Sequence, residues 1–386
     1  MLFAQGWLAY ELTGSAVYIG VVGTAQAIPS IILSLFGGAL ADRIQFQRLI
    51  STTHTAAALV MFILATLVIT RQVEIWHIVT ASFLIGSLNA FSQPALRSLW
   101  PHLINRGEFL SAAALTSSVW GGANIIGPAL GGMILSIAGG DIFGAGVSFY
   151  IVFVAYLIMA WIMLQIRMPF ITRATDGNIL QSILRGMKYI VSHRTIGFII
   201  VISYFNGYFG LSFMLLMPVF AKDILGVGPS GLGVLVSASG VGGLIGTIAL
   251  ASLGDSAPRW ALMLWGSLLL GITVVAFALS SWFALSVILV GLAGAMTSVY
   301  NVSVMTTMQM LLPDEFRGRV TAIRGLSWSL MPLGSLQAGA LATLVSPRFA
   351  VAFGGCVVIG FALFALASPS IRRLSVQSTS NPDAKV

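Results

Sequence analysis

The sequence predicts an all-α membrane protein, built as two six-helix bundles related by a pseudo-twofold axis along the membrane normal. Three observations predict it: a chain with very little charge, apolar runs about twenty residues long, and an internal repeat joining the two halves. Of 386 residues, 58% are hydrophobic and 8% are charged. Soluble domains carry about 25% charged residues, so this much apolar surface needs lipid as its solvent. In lipid only helices and closed barrels satisfy their own backbone. A barrel strand would alternate over about ten residues; these runs do not alternate, so they are helical.

Twelve spans follow, near 1–12, 16–40, 49–70, 76–99, 109–137, 143–166, 196–220, 229–253, 260–280, 283–310, 319–345 and 349–368. The first is too short to cross a hydrocarbon layer of about 30 Å. Met1 runs directly into Leu2-Phe3-Ala4-Gln5-Gly6-Trp7 with no polar lead, which reads as a helix whose first half is missing. Between the sixth and seventh spans lies the one long polar interruption, Pro169–His193. Within it Leu180, Ile183, Leu184, Met187, Ile190 and Val191 recur at helical spacing opposite Arg185 and Lys188. That pattern predicts a short helix on the membrane surface. The expected organisation is a first bundle over 1–168, a linker over 169–193, a second bundle over 194–370 and a tail over 371–386.

Basic residues orient the chain. With twelve spans, sixteen of the 19 Lys and Arg fall on one side and three (Arg71, Lys222 and Arg348) on the other. The basic side is the expected cytoplasmic side, with the C-terminus on it. The net charge of +8 is thus topogenic, and no nucleic-acid partner is expected. Cys356 stands alone, so no internal disulfide forms.

The repeat appears at an offset of 213 residues, setting Tyr18–Asp42 against Gly231–Asp255. Gly20 meets Gly233, Ala25 meets Ala238, Leu40 meets Leu253 and Asp42 meets Asp255. Pro101 and Pro313 align nearby, each after the fourth helix of its half. Parallel repeats of this kind are typical of transporters whose halves rock about a central site.

Four stretches stand out. The loop after the second span reads Gly38-Ala39-Leu40-Ala41-Asp42-Arg43-Ile44-Gln45-Phe46-Gln47-Arg48. A small residue lets helix ends approach, the carboxylate can face a helix N-terminus, and Arg43 and Arg48 can latch across a domain interface. The fifth span carries Gly127-Pro128-Ala129-Leu130-Gly131-Gly132, preceded by Gly121 and Gly122. Proline bends a helix, and glycines allow a neighbour to close on the bend. The second half adds Leu312-Pro313-Asp314-Glu315-Phe316-Arg317-Gly318-Arg319-Val320 and Pro332-Leu333-Gly334-Ser335.

These motifs resemble the major facilitator superfamily. The first loop is similar to its signature between helices 2 and 3, with Gln45 where a second glycine is usual. The fifth span resembles the antiporter motif of its exporters, with Asn124 where relatives often carry arginine. Together with Gln5–Ser15, the later motifs resemble the branch that includes enterobactin exporters and macrolide-efflux proteins. The resemblance covers nearly the whole chain. It implies export of amphipathic small molecules across a bacterial inner membrane, coupling to protons, a monomer, and no cofactor. An importer or a lipid flippase on the same fold is the alternative. The resemblance implies gating roles for Gly38, Asp42, Arg43, Arg48, Gly127, Pro128, Gly131, Gly132 and Asp255. In that fold helices 1, 4, 7 and 10 line the cavity, where this chain offers Gln5, Asn89, Gln93, Tyr204, Asn206, Tyr208, Asn301 and Met305. Interhelical hydrogen bonding accounts for the amides as well.

No acid, base, nucleophile or metal spacing converges, so no enzyme and no metal site is expected. No phosphate-binding loop appears, which leaves an ion gradient as the energy source. All eleven carboxylates fall in loops, near span ends or in the tail. Glu11 and Asp223, at equivalent outer ends of the two halves, are the coupling candidates, with simple capping as the other explanation.

Overall fold

The computed structural model describes residues 1–41, 44–99, 108–137, 142–166, 179–254 and 258–367. Asp42, Arg43, Asp255, Pro101, residues 169–178 of the linker and the tail lie outside them, as does the packing around Gly38. The described residues form α1 (Leu2–Thr13), α2 (Ala16–Ala41), α3 (Phe46–Ile69), α4 (Ile75–Leu99), α5 (Phe109–Ile137), α6 (Ile142–Gln165) and α7 (Ile179–Ser192). The second half forms α8 (Arg194–Ile224), α9 (Gly228–Ser252), α10 (Arg259–Leu279), α11 (Phe283–Leu311), α12 (Asp314–Leu344) and α13 (Pro347–Ala367). Each expected span is present, and so is the surface helix between the halves.

Ten of these helices are long and apolar enough to cross a bilayer. The other two spans depart for separate reasons. α1 has 12 residues, about 18 Å of helix at 1.5 Å per residue. α12 begins five residues before the expected start, because Asp314 and Glu315 occupy its first turn, where carboxylates favour the positive helix end. It also takes in Arg317, Arg319 and Arg324, so Arg324, expected among the topogenic residues at the basic surface, lies inside a membrane helix.

Left-handed glycines turn the chain at the outer end, the side opposite the basic one. Gly14 closes α1 at φ 63° and donates its N–H to Tyr10 O. Gly226 and Gly228, at φ 63° and 65°, make the corresponding turn between α8 and α9. α8 is not a uniform helix. It is α-helical to Phe205, wide over Asn206–Gly210, tight over Ser212–Leu216 and wide again over Phe220–Ile224. Pro218 removes a donor just past the tight stretch, and helices break register at such points.

α7 packs onto α12, where a Cβ on Gly186 would lie 3.1 Å from Ile323 Cδ1 and 3.3 Å from Arg319 Cβ. Leu184, Met187 and Val191 stay exposed, as do Arg185 and Lys188. The apolar side chains on this face suit a bilayer surface.

The buried core is divided unequally. Near the outer end one cluster runs through both halves, joining Trp7, Leu8, Ile19, Ile78 and Phe149 to Phe213, Phe220, Leu232 and Phe277. Toward the basic end there are two smaller clusters. One holds Leu49, Ile50, Ala95, Leu99 and Met163 of the first half. The other holds Ile199, Trp260, Met263, Val304 and Met308 of the second. Among the described residues, then, the halves share a core on one side of the membrane and keep separate cores on the other.

Candidate functional site: the seams between the halves

Two helix pairs close the outer side, and both do so through backbone contact. In the first, α9 lies against the proline bend of α5. A Cβ on Gly132 would sit 2.7 Å from Gly233 Cα and from Pro229 O, and one on Gly233 would sit 2.8 Å from Pro128 O. One turn on, Ser237 Oγ donates to Ile125 O at 2.6 Å. Gly240 follows, where a Cβ would meet Asn124 O at 2.9 Å. Asn124 O is the carbonyl that Pro128, lacking an N–H, cannot engage. Gly233, Ser237 and Gly240 recur at four and three residues, one helix face, so α9 presents small groups where α5 exposes backbone.

The second seam joins α2 to α12. A Cβ on Gly20 would strike the backbone of Ser335 and Leu336, and one on Gly339 would sit 2.6 Å from Ala16 O. Thr24 Oγ1 donates to Pro332 O at 3.2 Å. Gly20 and Gly233 are the two residues that the repeat aligns, and each sits at the heart of its own seam.

Polar pairs cap the seams at the outer end. Tyr10 OH donates to Asp223, and Lys222 Nζ pairs with Glu11 Oε2 at 2.7 Å. Lys222 Nζ also lies 5.8 Å from the centre of the Tyr10 ring. Tyr10 and Asp223 are 213 residues apart, the offset of the repeat, so the pair straddles the pseudo-twofold axis. Both coupling candidates are therefore tied to the opposite half.

The other expected residues are distributed differently. Of the four gating residues on α5, only Pro128 and Gly132 face the partner helix. Nothing lies within 4 Å of a Cβ built on Gly127 or Gly131; they border a cavity of about 430 Å³ beside Met1, Phe3 and Leu232. At 100° per residue a helix cannot turn 131 and 132 to one neighbour, so the expected contact at Gly131 belongs to Gly132. Arg48 is exposed at the start of α3.

Of the cavity candidates, Gln5 is fully buried and neither atom of its amide has a partner. Asn89, Gln93, Tyr208 and Met305 are half-buried. Asn206 points into the second bundle, not onto an open wall. It donates to Ile202 O at 2.9 Å and to Ser267 Oγ at 3.0 Å. Tyr204 OH donates to Ile323 O at 2.8 Å. Asn301 accepts from Arg324 Nη2 at 2.6 Å. Sequence reasoning missed Ser237, Gly339 and Arg324. The first two were legible in principle, as small residues at helical spacing on spans that face each other in the repeat.

Twelve helices in two repeated halves, sealed by paired glycine seams at one end, define a membrane transporter of the major facilitator class, not an enzyme. The chain belongs to the transmembrane secretion effector family, which it matches over residues 2–384. It is similar to the staphyloferrin A transporter of Staphylococcus aureus, at 24% identity, with 86% of this chain and 82% of that protein covered. It is also similar to the enterobactin exporter of Shigella boydii, at 24% identity, with 93% and 82% covered. Among solved structures, a bacterial homologue of the human lysosomal transporter Spinster superposes with a TM-score of 0.72 at 14% identity. That superposition covers 98% of this chain and 94% of the other and establishes the fold.

Proposed function

We propose that this protein exports amphipathic small molecules from a bacterial cytoplasm by alternating access, driven by protons. The observation that carries the reading is the unequal core: one cluster across both halves at the outer end, two separate clusters at the basic end. By the distribution of positive charge the basic end is cytoplasmic, so the structure corresponds to a state sealed outside and parted inside. The bundles at 1–168 and 194–370 then move as bodies across the inner membrane, joined by 169–193, with the tail at 371–386 inside. Opening the outer end must part Tyr10 from Asp223 and Glu11 from Lys222. Protonating either carboxylate would weaken the closed arrangement, which gives Glu11 and Asp223 a route to coupling.

Inverted vesicles energised to an acid interior test this with a macrolide, a catecholate siderophore and a citrate-based siderophore as probes. Accumulation of at least one probe that collapses on adding an uncoupler is the expected result. Accumulation indifferent to the pH gradient would refute proton coupling, and accumulation only in right-side-out vesicles would indicate import.

The orientation has its own test. Single cysteines replacing Arg185 or Lys188, in a Cys356→Ala background, should react with an impermeant maleimide only after cells are permeabilised. Labelling in intact cells would invert the topology.

A further inference from the structure

Among the described residues, Arg324 is an ionic group deep in a membrane helix that the transport reading leaves unused. It lies ten residues into α12, about 15 Å from the start of that helix at 1.5 Å per residue. The residue is 6% exposed. Its Nη2 donates to Asn301 Oδ1 at 2.6 Å, and its Nε has no partner. Ion pairs among the described residues are Lys222–Glu11 and Arg317–Asp314; neither involves Arg324. The polar groups nearby are neutral: Tyr300 OH donates to Ser203 Oγ at 3.1 Å, and Tyr204 is committed to Ile323 O.

Two stripes of side chains lead to this arginine. Arg317, Thr321 and Arg324 recur at four and three residues on α12, and Asn301, Met305 and Gln309 at four on α11, so each set shares a helix face. Met305, Gln309, Arg317 and Thr321 border a cavity of about 780 Å³ at the basic end. Arg324 and Asn301 continue both stripes one turn deeper. A charged side chain inside a membrane is costly and normally finds a partner of opposite charge. A tie between α11 and α12 alone would be served by a neutral amide. The guanidinium instead offers five donors in a planar fork that fits an oxyanion, and one neutral amide leaves most of that fork open.

We propose that Arg324 binds an oxyanion of the transported molecule, so that the substrates are amphipathic anions of the carboxylate class. The anion enters between α11 and α12, with Arg317 near the mouth and Arg324 at the inner end. Met305 and Met310 on the cavity wall supply adaptable apolar contact for the rest of the molecule. This inference rests on the transport reading and names its substrate class.

The test uses the full chain in lipid nanodiscs, with decanoate, decanamide and decyltrimethylammonium as chain-matched probes and thermal unfolding as the readout. Decanoate should raise the unfolding temperature more than the other two. Arg324→Met should weaken decanoate at least about tenfold, as expected for losing a charge-assisted pair, while the decanamide response stays unchanged. Arg324→Lys keeps the charge without the fork and should fall between; it also serves if Arg324→Met does not fold. Equal responses to decanoate and decanamide, or a decanoate response that survives both substitutions, would overturn the assignment. Because binding is read without flux, this failure is separate from a failure of transport in vesicles.

Discussion

Gly132→Leu is expected to abolish gradient-driven accumulation in inverted vesicles, and Gly131→Leu to leave it near the parent's level. The two residues are adjacent on α5 and equal in composition, so the contrast depends on geometry alone. A Cβ at 132 meets Gly233 Cα and Pro229 O at 2.7 Å, and backbone cannot rotate aside as a side chain can. A Cβ at 131 meets nothing within 4 Å. Forcing extra volume into a packed contact costs about 1–3 kcal/mol, and 1.4 kcal/mol is tenfold in an equilibrium. The outer-sealed state should lose about tenfold or more of its population by that measure, and passive leak of the probe should rise with it. Insertion, followed by the amount of protein in the membrane, should change less than flux. Equal flux and leak in the two variants would mean that α5 and α9 make an ordinary packing contact.

Much of this fold was legible because lipid imposes strict rules on sequence. Twelve apolar runs had to be helices, because lipid leaves the backbone few other ways to satisfy itself. The structure moved the boundaries by a few residues, and most at α12, where Asp314 and Glu315 begin the helix instead of ending a loop. That shift matters chemically. It sets Arg324 ten residues past the helix start instead of five, and only tertiary contact shows that its partner is Asn301.

The seams were half legible. Gly132 and Pro128 stood out by spacing, but which of two neighbouring glycines meets the partner depends on the rotation of α5 about its own axis. A stretch rich in small residues on several faces leaves that rotation undetermined. Gly20 was visible only through its alignment with Gly233, and Gly339 only as one small residue at helical spacing among many, since single glycines are common in membrane helices. At the cavity candidates, side-chain direction was not legible. Asn206 lies where α8 leaves regular α-geometry, so a rule of four residues per face does not place its side chain.

Separation of the outer seam during transport is the central claim, and locking that seam tests it most directly. Gly23 and Pro332 face each other across α2 and α12, with a Cβ on Gly23 3.3 Å from Pro332 Cβ. Disulfides span about 3.5–4.5 Å between Cβ atoms, so Gly23→Cys with Pro332→Cys, in a Cys356→Ala background, should cross-link under mild oxidation. Probe accumulation in inverted vesicles is then measured on the oxidised and reduced protein. Alternating access predicts that the oxidised protein does not transport, that reductant restores flux, and that each single-cysteine variant is indifferent to redox state. Full flux through the cross-linked protein would contradict it.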